Sequence, residues 1–316
     1  MSAVSDVTTP PPPPPSPPAS TGPRAPSLPA LDVLLGPGGS GHLAGTRLEP
    51  APDEEALAAF YASPPGPHVR ANMVASVDGG AWGPDHRSGT INDAADWRVF
   101  RVLRALADVV LVGAGTARAE GYTALDVPRG LEHLREGRGP LELAVVTRSG
   151  HLPASLAGGD RPPFVVTGEH GASVARASVP ADRILVVGPD DAAPPGAPLT
   201  ARDLPSPTPG PDLRAGLAAL ADRGLARVLC EGGPHLLADL LARDLLDELC
   251  VTTTPVLVGP GPGRIVGGLP PLPAGVRAER ETGTPDGPAA SAPIVHPRLA
   301  HLLHADGTLV ARWALR

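Results

Sequence analysis

Two short segments of the sequence join glycines to the end of an apolar run in a way that suits a phosphorylated ligand. The segment VLVGAGT ends one apolar run at 110–116, and RVLCEGGP ends another at 227–234. Glycine lets a pyrophosphate approach the backbone, and the N–H groups that open a following helix can donate to it. A tight turn with positive φ also explains either corner alone. Together they predict one extended ligand with several phosphates, in contact with Gly113, Gly115, Thr116, Gly232 and Gly233.

The basic side chains limit the chemistry further, because the sequence contains no lysine and its 26 Lys and Arg positions are all arginine. This excludes Schiff-base and pyridoxal-phosphate enzymes, lysine nucleophiles and Walker-type phosphate loops. An anion must therefore be bound by arginine, by backbone N–H groups or by a helix N-terminus. Neither glycine segment matches G-x-G-x-x-G, so the Rossmann fingerprint is absent.

Strands and helices that alternate along the chain must position these two corners. Short apolar runs predict buried strands, and apolar residues at helical spacing predict the helices between them. The strands are predicted within 68–80, 108–116, 141–147, 163–168, 183–188, 226–231 and 247–259; the helices within 55–62, 91–107, 212–225 and 234–246, and one starting at or just after Thr116. A hairpin turned at Asp306-Gly307 closes the chain over 298–315. The pattern predicts an α/β fold with a mainly parallel sheet and an antiparallel C-terminal hairpin.

The domain organisation follows from proline content. Residues 1–29 form a proline-rich tail that we expect to be extended or disordered, and residues 30–316 form one domain. Within that domain, 260–298 is an excursion rich in proline and glycine.

Bulk composition restricts the partners and the compartment. The net charge of -7 gives no electrostatic footprint for nucleic acid or an anionic membrane. The apolar runs are shorter than the roughly 20 residues of a membrane span, and no secretory signal opens the chain, so we expect a cytoplasmic protein. Cys230 and Cys250 lie in apolar runs and are interpreted as small buried hydrophobes. No residue spacing predicts a metal site.

Four motifs carry a resemblance to a known family: NMVASVDGG, RSGTIND, LRALADVVLVGAGTARAEGY and CEGGPHLLADLLARDLLDELCVTTTPVLVG. They resemble the pyrimidine reductase family, the reductase domain of bacterial riboflavin biosynthesis, over roughly residues 68 to 316. The resemblance implies a dihydrofolate-reductase-like three-layer α/β/α fold, NADPH and a homodimer. It implies hydride transfer to C1′ of the open imine form of a 2,5-diamino-6-ribosylamino-pyrimidinone 5′-phosphate or a related 5-amino-6-ribosylamino-pyrimidine 5′-phosphate.

The same resemblance implies roles for single residues. It places Ala75 at the nicotinamide end of the cofactor and Ser149 at the adenosine end. It also makes Thr90, Thr116 and Glu120 contacts of the cofactor. The segment that wraps the pyrophosphate includes Gly232, Gly233, Pro234, His235 and Leu236. At the substrate it places Ser88, Arg104 and Glu231. Glu120 and Glu231 lie nearest the glycine corners and are the candidate catalytic acids. Glu231 can also be interpreted as a helix-capping carboxylate, worth roughly 0.3–1 kcal/mol.

The sequence departs from the family pattern at the sugar phosphate. No arginine stands where the family has one after the acid at Glu120, although Arg129 lies nearby. The zinc deaminase elements H-x-E and P-C-x-x-C of the two-domain form are also absent. The resemblance further implies a cis peptide between Gly232 and Gly233.

Two other functions fit parts of the sequence. Folate reductases hold the pteridine with a carboxylate on the first long helix, and INDAADWRVF offers Asp93 and Asp96 there. Both acids could instead compensate the dipole at a helix N-terminus. A third possibility is a regulatory protein that binds the nucleotide but no longer turns over a substrate.

Overall fold

A computed structural model describes residues 28–135, 137–188, 210–267 and 296–316. In these residues one sheet contains the strands β1 (Leu31–Leu35), β2 (Arg47–Leu48), β3 (His68–Ser76), β4 (Val109–Gly113), β5 (Glu142–Val146), β6 (Phe164–Thr167), β7 (Ile184–Val186), β8 (Arg227–Cys230), β9 (Glu248–Thr254), β10 (Arg298–Ala305) and β11 (Thr308–Ala314). The strand order is β2-β1-β10-β11-β9-β3-β8-β4-β5-β6-β7. Strands from β9 to β7 pair in parallel and those from β2 to β9 pair antiparallel. The predicted mainly parallel sheet and its antiparallel C-terminal hairpin are confirmed.

Helices cover both faces of this sheet. They are α1 (Glu55–Phe60), α2 (Ala94–Leu106), α3 (Ala114–Glu120), α4 (Glu169–Ala175), α5 (Leu213–Ala221) and α6 (Pro234–Ala242). The first three share an apolar core with Val110, whereas α5 and α6 share a second core with Val109. Neighbouring residues of a strand point to opposite faces, so one strand contributes to both cores. This arrangement is the predicted three-layer α/β/α fold.

Helix α2 shows how the sequence fixes an element that carries site residues. Asp93 is its N-cap, and one carboxylate oxygen accepts hydrogen bonds from the N–H groups of Ala95 and Asp96, both at 2.9 Å. At the other end, Arg135 and Arg138 donate to the carbonyls of Ala105, Leu106 and Ala107, which have no partner within the helix. Both ends of α2 are therefore held by side chains.

Several predicted boundaries are wrong by a few residues, each for a local reason. Helix α3 begins at Ala114 instead of Thr116, because β4 runs into it without a loop. Strand β9 ends at Thr254 because Pro255 has no N–H to donate to the sheet. Helix α6 ends at Ala242, and Asp244 follows with a φ of 52°.

Other predictions at the ends of the chain have mixed outcomes. The hairpin turn is confirmed, since Asp306 and Gly307 have φ values of 49° and 89°. Strands β1 and β2 were not predicted, and β1 lies against the hairpin with Asp32 opposite His304. Residues 1–27 of the predicted tail and 268–295 of the predicted excursion lie outside the described residues. None of the described helices is long and apolar enough to cross a membrane.

Candidate active site

The two glycine corners lie side by side at the carboxyl edge of the parallel strands. Strands β4 and β8 are neighbours, with Leu111 opposite Cys230. Beyond the strands, the N–H of Gly113 donates to the carbonyl of Gly232 at 3.0 Å, and the N–H of Glu231 donates to Leu111 at 3.0 Å. The structure therefore brings together the two segments that the sequence analysis assigned to one ligand.

The fold itself requires both glycines of the second corner. Gly232 has a φ of 94°, and the Gly232–Gly233 peptide is cis, as the resemblance implies. A Cβ on Gly233 would lie 2.4 Å from the hydroxyl of Thr116, so any larger residue would have to displace that side chain. Gly115 is different, because among the described residues only its chain neighbours and the backbone of its own helix can lie within 4 Å of its Cβ position. Open space next to the backbone at Gly115, with the N–H groups of His235 and Leu236 at the start of α6, fits a phosphorylated cofactor.

A buried carboxylate lies directly beside this corner. Glu231 accepts two hydrogen bonds from Arg104, from Nε at 2.8 Å and from Nη2 at 2.7 Å, in a bidentate ion pair. The hydroxyl of Tyr122 donates to the Oε2 atom of Glu231 at 2.5 Å. The side chain of Glu231 is only 3% exposed and that of Arg104 is 18% exposed. Arg104 and Glu231, which the sequence assigned to the substrate, therefore meet in one cluster.

The protonation states in this cluster follow from burial and charge. Burial lowers the pKa of the Arg104 guanidinium, but its hydrogen bonds and ion pair with Glu231 outweigh this and leave the pKa raised. Burial and the negative charge of Glu231 raise the pKa of the Tyr122 phenol well above its usual value. Tyr122 is therefore a neutral proton donor toward Glu231.

Aromatic rings extend the cluster along α2 toward solvent. The guanidinium of Arg104 lies over the ring of Phe100, 4.2 Å from its centroid, and 5.8 Å from the centroid of Tyr122. Phe100 in turn stacks on Trp97 at 5.5 Å, and Trp97 is 48% exposed. Planar groups thus form a continuous row from the solvent to the buried carboxylate.

The segment RSGTIND lies next to α3. The N–H of Ser88 donates to the Oε1 atom of Glu120 at 2.9 Å, which brings together two predicted site residues. Thr90 instead donates a hydrogen bond to Asp85 within its own exposed loop. Arg129, the nearest replacement for the family arginine, is exposed, and its carbonyl accepts a hydrogen bond from Arg101 at 2.7 Å.

The two acids of the rival folate interpretation have different surroundings. Asp93 is occupied, since its Oδ1 caps α2 and its Oδ2 accepts from the hydroxyl of Thr308. Asp96 is 3% exposed, and neither its Oδ1 nor the nearby hydroxyl of Thr252 makes a hydrogen bond of good geometry. Burial raises the pKa of Asp96, a contact with the Thr252 hydroxyl lowers it, and the negative charges of Asp93 and Glu231 raise it; together these effects bring the pKa to about 6.

The remaining predicted cofactor residues follow the sheet order along one edge. Ala75 lies on β3, on the same strand face as Met73, whose side chain lies within 3.5 Å of the Cβ position of Gly232. Ser149 follows β5 and is exposed. Because the order is β3-β8-β4-β5, Ala75, the glycine corners and Ser149 form one row.

A segment that we call the strap, residues 255–267, covers the end of β3 and reaches α6. Asp78 accepts hydrogen bonds from the N–H groups of Val258 and Gly259 and from the hydroxyl of Ser76, and this lowers its pKa. The N–H of Gly267 donates to the carbonyl of Pro234 at 2.9 Å. Asp78 thus fixes the strap to the end of β3.

The model of the RibD C-terminal domain matches residues 67–282, more than half of the chain. The chain belongs to the RibD C-terminal domain family. As a member of this reductase family, the chain is an oxidoreductase of the pyrimidine-reductase type, and the predicted family and fold class are confirmed.

Comparisons with individual relatives agree with this family. The 2,5-diamino-6-ribosylamino-4(3H)-pyrimidinone 5′-phosphate reductase of Archaeoglobus fulgidus is 26% identical over 199 residues, which cover 61% of this chain and 82% of the relative. A pyrimidine reductase-like protein of Corynebacterium diphtheriae has the same fold, with a TM-score of 0.58, 23% identity and coverage of 79% of this chain and 92% of that one. A deaminase and reductase of Thermotoga maritima has a TM-score of 0.50 at 17% identity, and the match spans 57% of its length.

Tyr122 and Thr252 are site residues that the sequence does not predict. Tyr122 follows Glu120 by two residues in EGYTAL, and its link to Glu231 spans 109 positions, so no local pattern shows it. Thr252 left a weak signal, since alternate residues of β9 are buried although several are polar. When alternate residues of a strand are buried and some of them are polar, those polar side chains are candidates for ligand contacts.

Proposed function

We propose that this chain reduces a riboflavin-pathway-type pyrimidine with NADPH, by hydride transfer to C1′ of a 5-amino-6-ribosylamino-pyrimidine 5′-phosphate or a relative. One observation carries the proposal. A buried Arg104–Glu231–Tyr122 cluster directly adjoins the paired glycine corners, so a polar substrate and a phosphorylated cofactor can meet at residue 231. Membership of the RibD C-terminal domain family supports the same chemistry.

On the substrate side, Glu231 holds Arg104 in one orientation. The bidentate pair uses Nε and Nη2 of the guanidinium and leaves Nη1 to donate to a substrate oxygen or ring nitrogen. Ser88, held through its N–H by Glu120, lies in the loop that borders this region. Glu120 thus acts by positioning in this proposal, while Arg104, Glu231 and Tyr122 contact the substrate.

On the cofactor side, the open backbone at Gly115 and the first N–H groups of α6 would hold the pyrophosphate. Ala75 would line the nicotinamide and Ser149 the adenosine, with Thr116 between them. When bound, the reduced nicotinamide supplies the hydride. Thr90, exposed in its own loop, would reach the cofactor only from the edge of this site.

The reaction also needs one proton at the imine nitrogen when the hydride reaches C1′. Tyr122 keeps its proton because burial and Glu231 raise its pKa. Its hydroxyl lies 2.5 Å from Glu231, so these two groups can hold and pass one proton. The protein otherwise needs only to align the two carbons and to exclude water.

A fluorescence titration and a turnover assay test this function together. We expect saturable binding of NADPH to the purified chain, and loss of the near-ultraviolet absorbance of the reduced nicotinamide when the aminopyrimidine is added. Arg104→Ala should keep NADPH binding and lose turnover. Absence of saturable binding of both NADPH and NADH would contradict the proposal, and tight binding without turnover of any aminopyrimidine or pterin would favour the regulatory alternative.

A second candidate, reduction of dihydrofolate or another pterin, is favoured by Asp96. Its Oδ1 atom and the Thr252 hydroxyl are buried and make no hydrogen bond of good geometry within the described part of the chain, although buried polar atoms are nearly always paired. An amino-substituted ring that enters beside α2 could satisfy both. Asp96→Asn should then abolish oxidation of NADPH by dihydrofolate, whereas Asp93→Asn should act mainly through loss of the α2 cap. Indifference of pterin turnover to Asp96→Asn would exclude this role.

We also propose a cytoplasmic homodimer. The hairpin and β9 cannot pair edge to edge with a second copy, because each of these strands already has a neighbour on both sides. Their face opposite Leu303 and Val310 carries partly exposed side chains: Val251, Leu302, Leu309, Ala311 and Trp313. Light scattering should give twice the chain mass, and Leu309→Glu should give a monomer.

The two buried free cysteines suit a reducing compartment.

A further inference from the structure

A second cleft lies at the amino edge of the parallel strands, at the end of the sheet opposite the candidate active site. It opens where β3 and β8 begin, with His68 opposite Arg227 and Arg70 opposite Leu229. Its volume is about 210 Å³, solvent at the mouth included, and its enclosed part has room for one group about the size of a water molecule. The polar side of the cleft consists of Ser63, His68, Arg70 and Arg227, and the end of α2 forms an apolar wall.

Arg227 faces this cleft with an uncompensated charge. Alternate residues of a strand point to the same face, so Arg227 shares the face of Leu229, which belongs to the core that α2 covers. The side chain of Arg227 is half-buried, and its guanidinium has no hydrogen-bond or ion-pair partner among the described residues. A guanidinium carries five N–H donors, and a partly desolvated charge is costly without a partner. Arg227 therefore has donors available for a ligand.

The other polar groups of the cleft add donors. Arg70 is 4% exposed and uses Nε and Nη2 for Glu248, at 2.8 and 2.6 Å. The hydroxyl of Ser63 accepts a hydrogen bond from Arg70 at 3.4 Å, which leaves its own O–H free to donate. The Nε2 atom of the buried His68 lies 3.2 Å from Glu248, without a hydrogen bond of good geometry in the described residues. The groups around the enclosed space are thus mostly donors.

The carboxylates nearest the cleft do not neutralise Arg227. They are paired with other arginines: Asp108 with Arg138 at 3.2 Å, Asp247 with Arg316 at 3.3 Å, and Glu248 with both Arg70 and Arg312. The excess charge is felt by a neighbour, since burial lowers the pKa of Arg138, Asp108 raises it, and the positive charge of Arg227 lowers it. The carbonyls that end α2 are also occupied, because Arg135 and Arg138 donate to them. The cleft therefore has an excess of positive charge.

We propose that this cleft binds a small monovalent anion, chloride or the carboxylate of a short acid such as formate, with Arg227 and Ser63 as its donors. A guanidinium is weakly hydrated and pairs readily with such an anion. The apolar wall, which includes Leu103 and Leu229, lowers the local dielectric and strengthens the attraction. A water molecule would fit the space but would leave the charge of Arg227 without a counterion, and a cation would be repelled.

The site does not depend on the proposed reductase function, because it lies at the other ends of β3 and β8. Its occupant would contact two strands and the end of α2, so it should bind the folded chain and not the unfolded one. A ligand of this kind raises the melting temperature in proportion to the logarithm of its concentration. Stability is therefore the direct measure of binding.

The experiment compares thermal unfolding of the full chain in sodium chloride, sodium formate and sodium gluconate at equal sodium concentration. Gluconate is too large for the cleft and is the reference salt. We expect chloride or formate to raise the melting temperature by roughly 2–4 °C above gluconate. Arg227→Gln should remove this difference, and Arg227→Lys should keep part of it. Arg176→Gln is the matched control, since Arg176 is exposed at the end of α4, and it should keep the full difference.

Crystals grown in bromide give the position of the ion, because anomalous diffraction should show a peak beside Arg227. A rise with chloride alone identifies a halide site, and an equal rise with formate identifies a carboxylate site. If Arg227→Gln does not fold, Ser63→Ala replaces it, since this change keeps every charge and should reduce the difference between the salts. Equal melting temperatures of the wild-type chain in all three salts overturn the proposal, even with a bromide peak, which would then be an adventitious ion only. A full chloride effect in Arg227→Gln, or in Ser63→Ala where that variant replaces it, also overturns it, because the anion would then bind elsewhere.

Discussion

Arg104 and Glu231, 127 residues apart in sequence, form a bidentate ion pair of 2.7 and 2.8 Å beneath the glycine corner. The pair joins α2 to the end of β8 and leaves little of either side chain exposed. A buried charge without its partner is far more costly than the pair is stabilising. The site therefore depends on keeping both groups, and each variant below removes one contact of this network or of its neighbours.

Arg104→Ala should lower the free energy of unfolding by roughly 3–5 kcal/mol, because it leaves the carboxylate of Glu231 buried and unpaired. Arg104→Lys should lose less, since the charge remains while the two-pronged geometry is lost. Urea unfolding measures both. Arg47→Ala, whose ion pairs with Asp32 and Glu49 are exposed, serves as the control and should change little. Equal losses in Arg104→Ala and Arg47→Ala would contradict the role of the buried pair.

Tyr122→Phe removes one hydroxyl and keeps the ring beside Arg104. A hydrogen bond to a charged acceptor is worth roughly 1.5–3 kcal/mol, so we expect a loss of that order in unfolding experiments, with a drop in kcat. Tyr61→Phe is the matched control, because the Tyr61 hydroxyl is fully buried and has no hydrogen bond. Removing it should be neutral or stabilising. A Tyr122→Phe variant as stable and active as wild type would show that the contact with Glu231 is dispensable.

Local patterns were sufficient for much of the fold. The apolar run of β4 is buried on both faces and Asp306-Gly307 forms the hairpin turn, and both features depend on residues close in sequence. Strand order was not accessible in this way. It is the adjacency of β4 and β8 that places Thr116 against Gly233, and no spacing along the chain encodes that contact.

The sequence predicts those site residues that stand together in one motif. It does not predict those that are distant in sequence and meet only in the folded chain. Glu231 and the glycines beside it stand together in the sequence. Tyr122, which follows α3, meets Glu231 because β4 and β8 are neighbours in the sheet. Strands β1 and β2 are short and lie in a segment rich in glycine and proline, so their apolar pattern was too brief to predict. Their place is set by the hairpin, which ends the chain.

Gly233→Ala should destabilise the protein, since the new Cβ would lie 2.4 Å from the hydroxyl of Thr116. Overpacking of this kind costs roughly 1–3 kcal/mol. Thr116→Ala removes the clashing atom, so the double variant should be more stable than the sum of the two single changes predicts. A double-mutant cycle from thermal unfolding measures this coupling. Strict additivity would mean that the two corners do not pack together as described.

Gly115→Ala tests the cofactor cradle without disturbing the fold. The new Cβ would meet no described atom within 4 Å apart from its chain neighbours and its own helix backbone, and alanine in a helix is more favourable than glycine by roughly 0.5–1 kcal/mol. The melting temperature should therefore rise slightly while NADPH binding weakens, because the methyl group occupies the open space. Gly224→Ala, remote from the site and at a φ of 79°, should instead lower stability and leave cofactor affinity unchanged. Unchanged NADPH affinity in Gly115→Ala would move the pyrophosphate away from this backbone.

Asp96 should make stability depend on pH. Its pKa of about 6 in the folded chain lies above the value near 3.9 expected when unfolded, so the folded state binds the proton more tightly. The stabilisation is complete below about pH 4 and is lost as the pH rises to about 6, a change of up to about 3 kcal/mol. Asp96→Asn has no proton to lose, so its stability relative to wild type should increase over that interval and level off above it. Urea unfolding across the pH range measures the difference, with Asp126→Asn, an exposed change of the same charge, as the control. A difference that does not vary with pH over this interval would show that folding does not raise the pKa of Asp96.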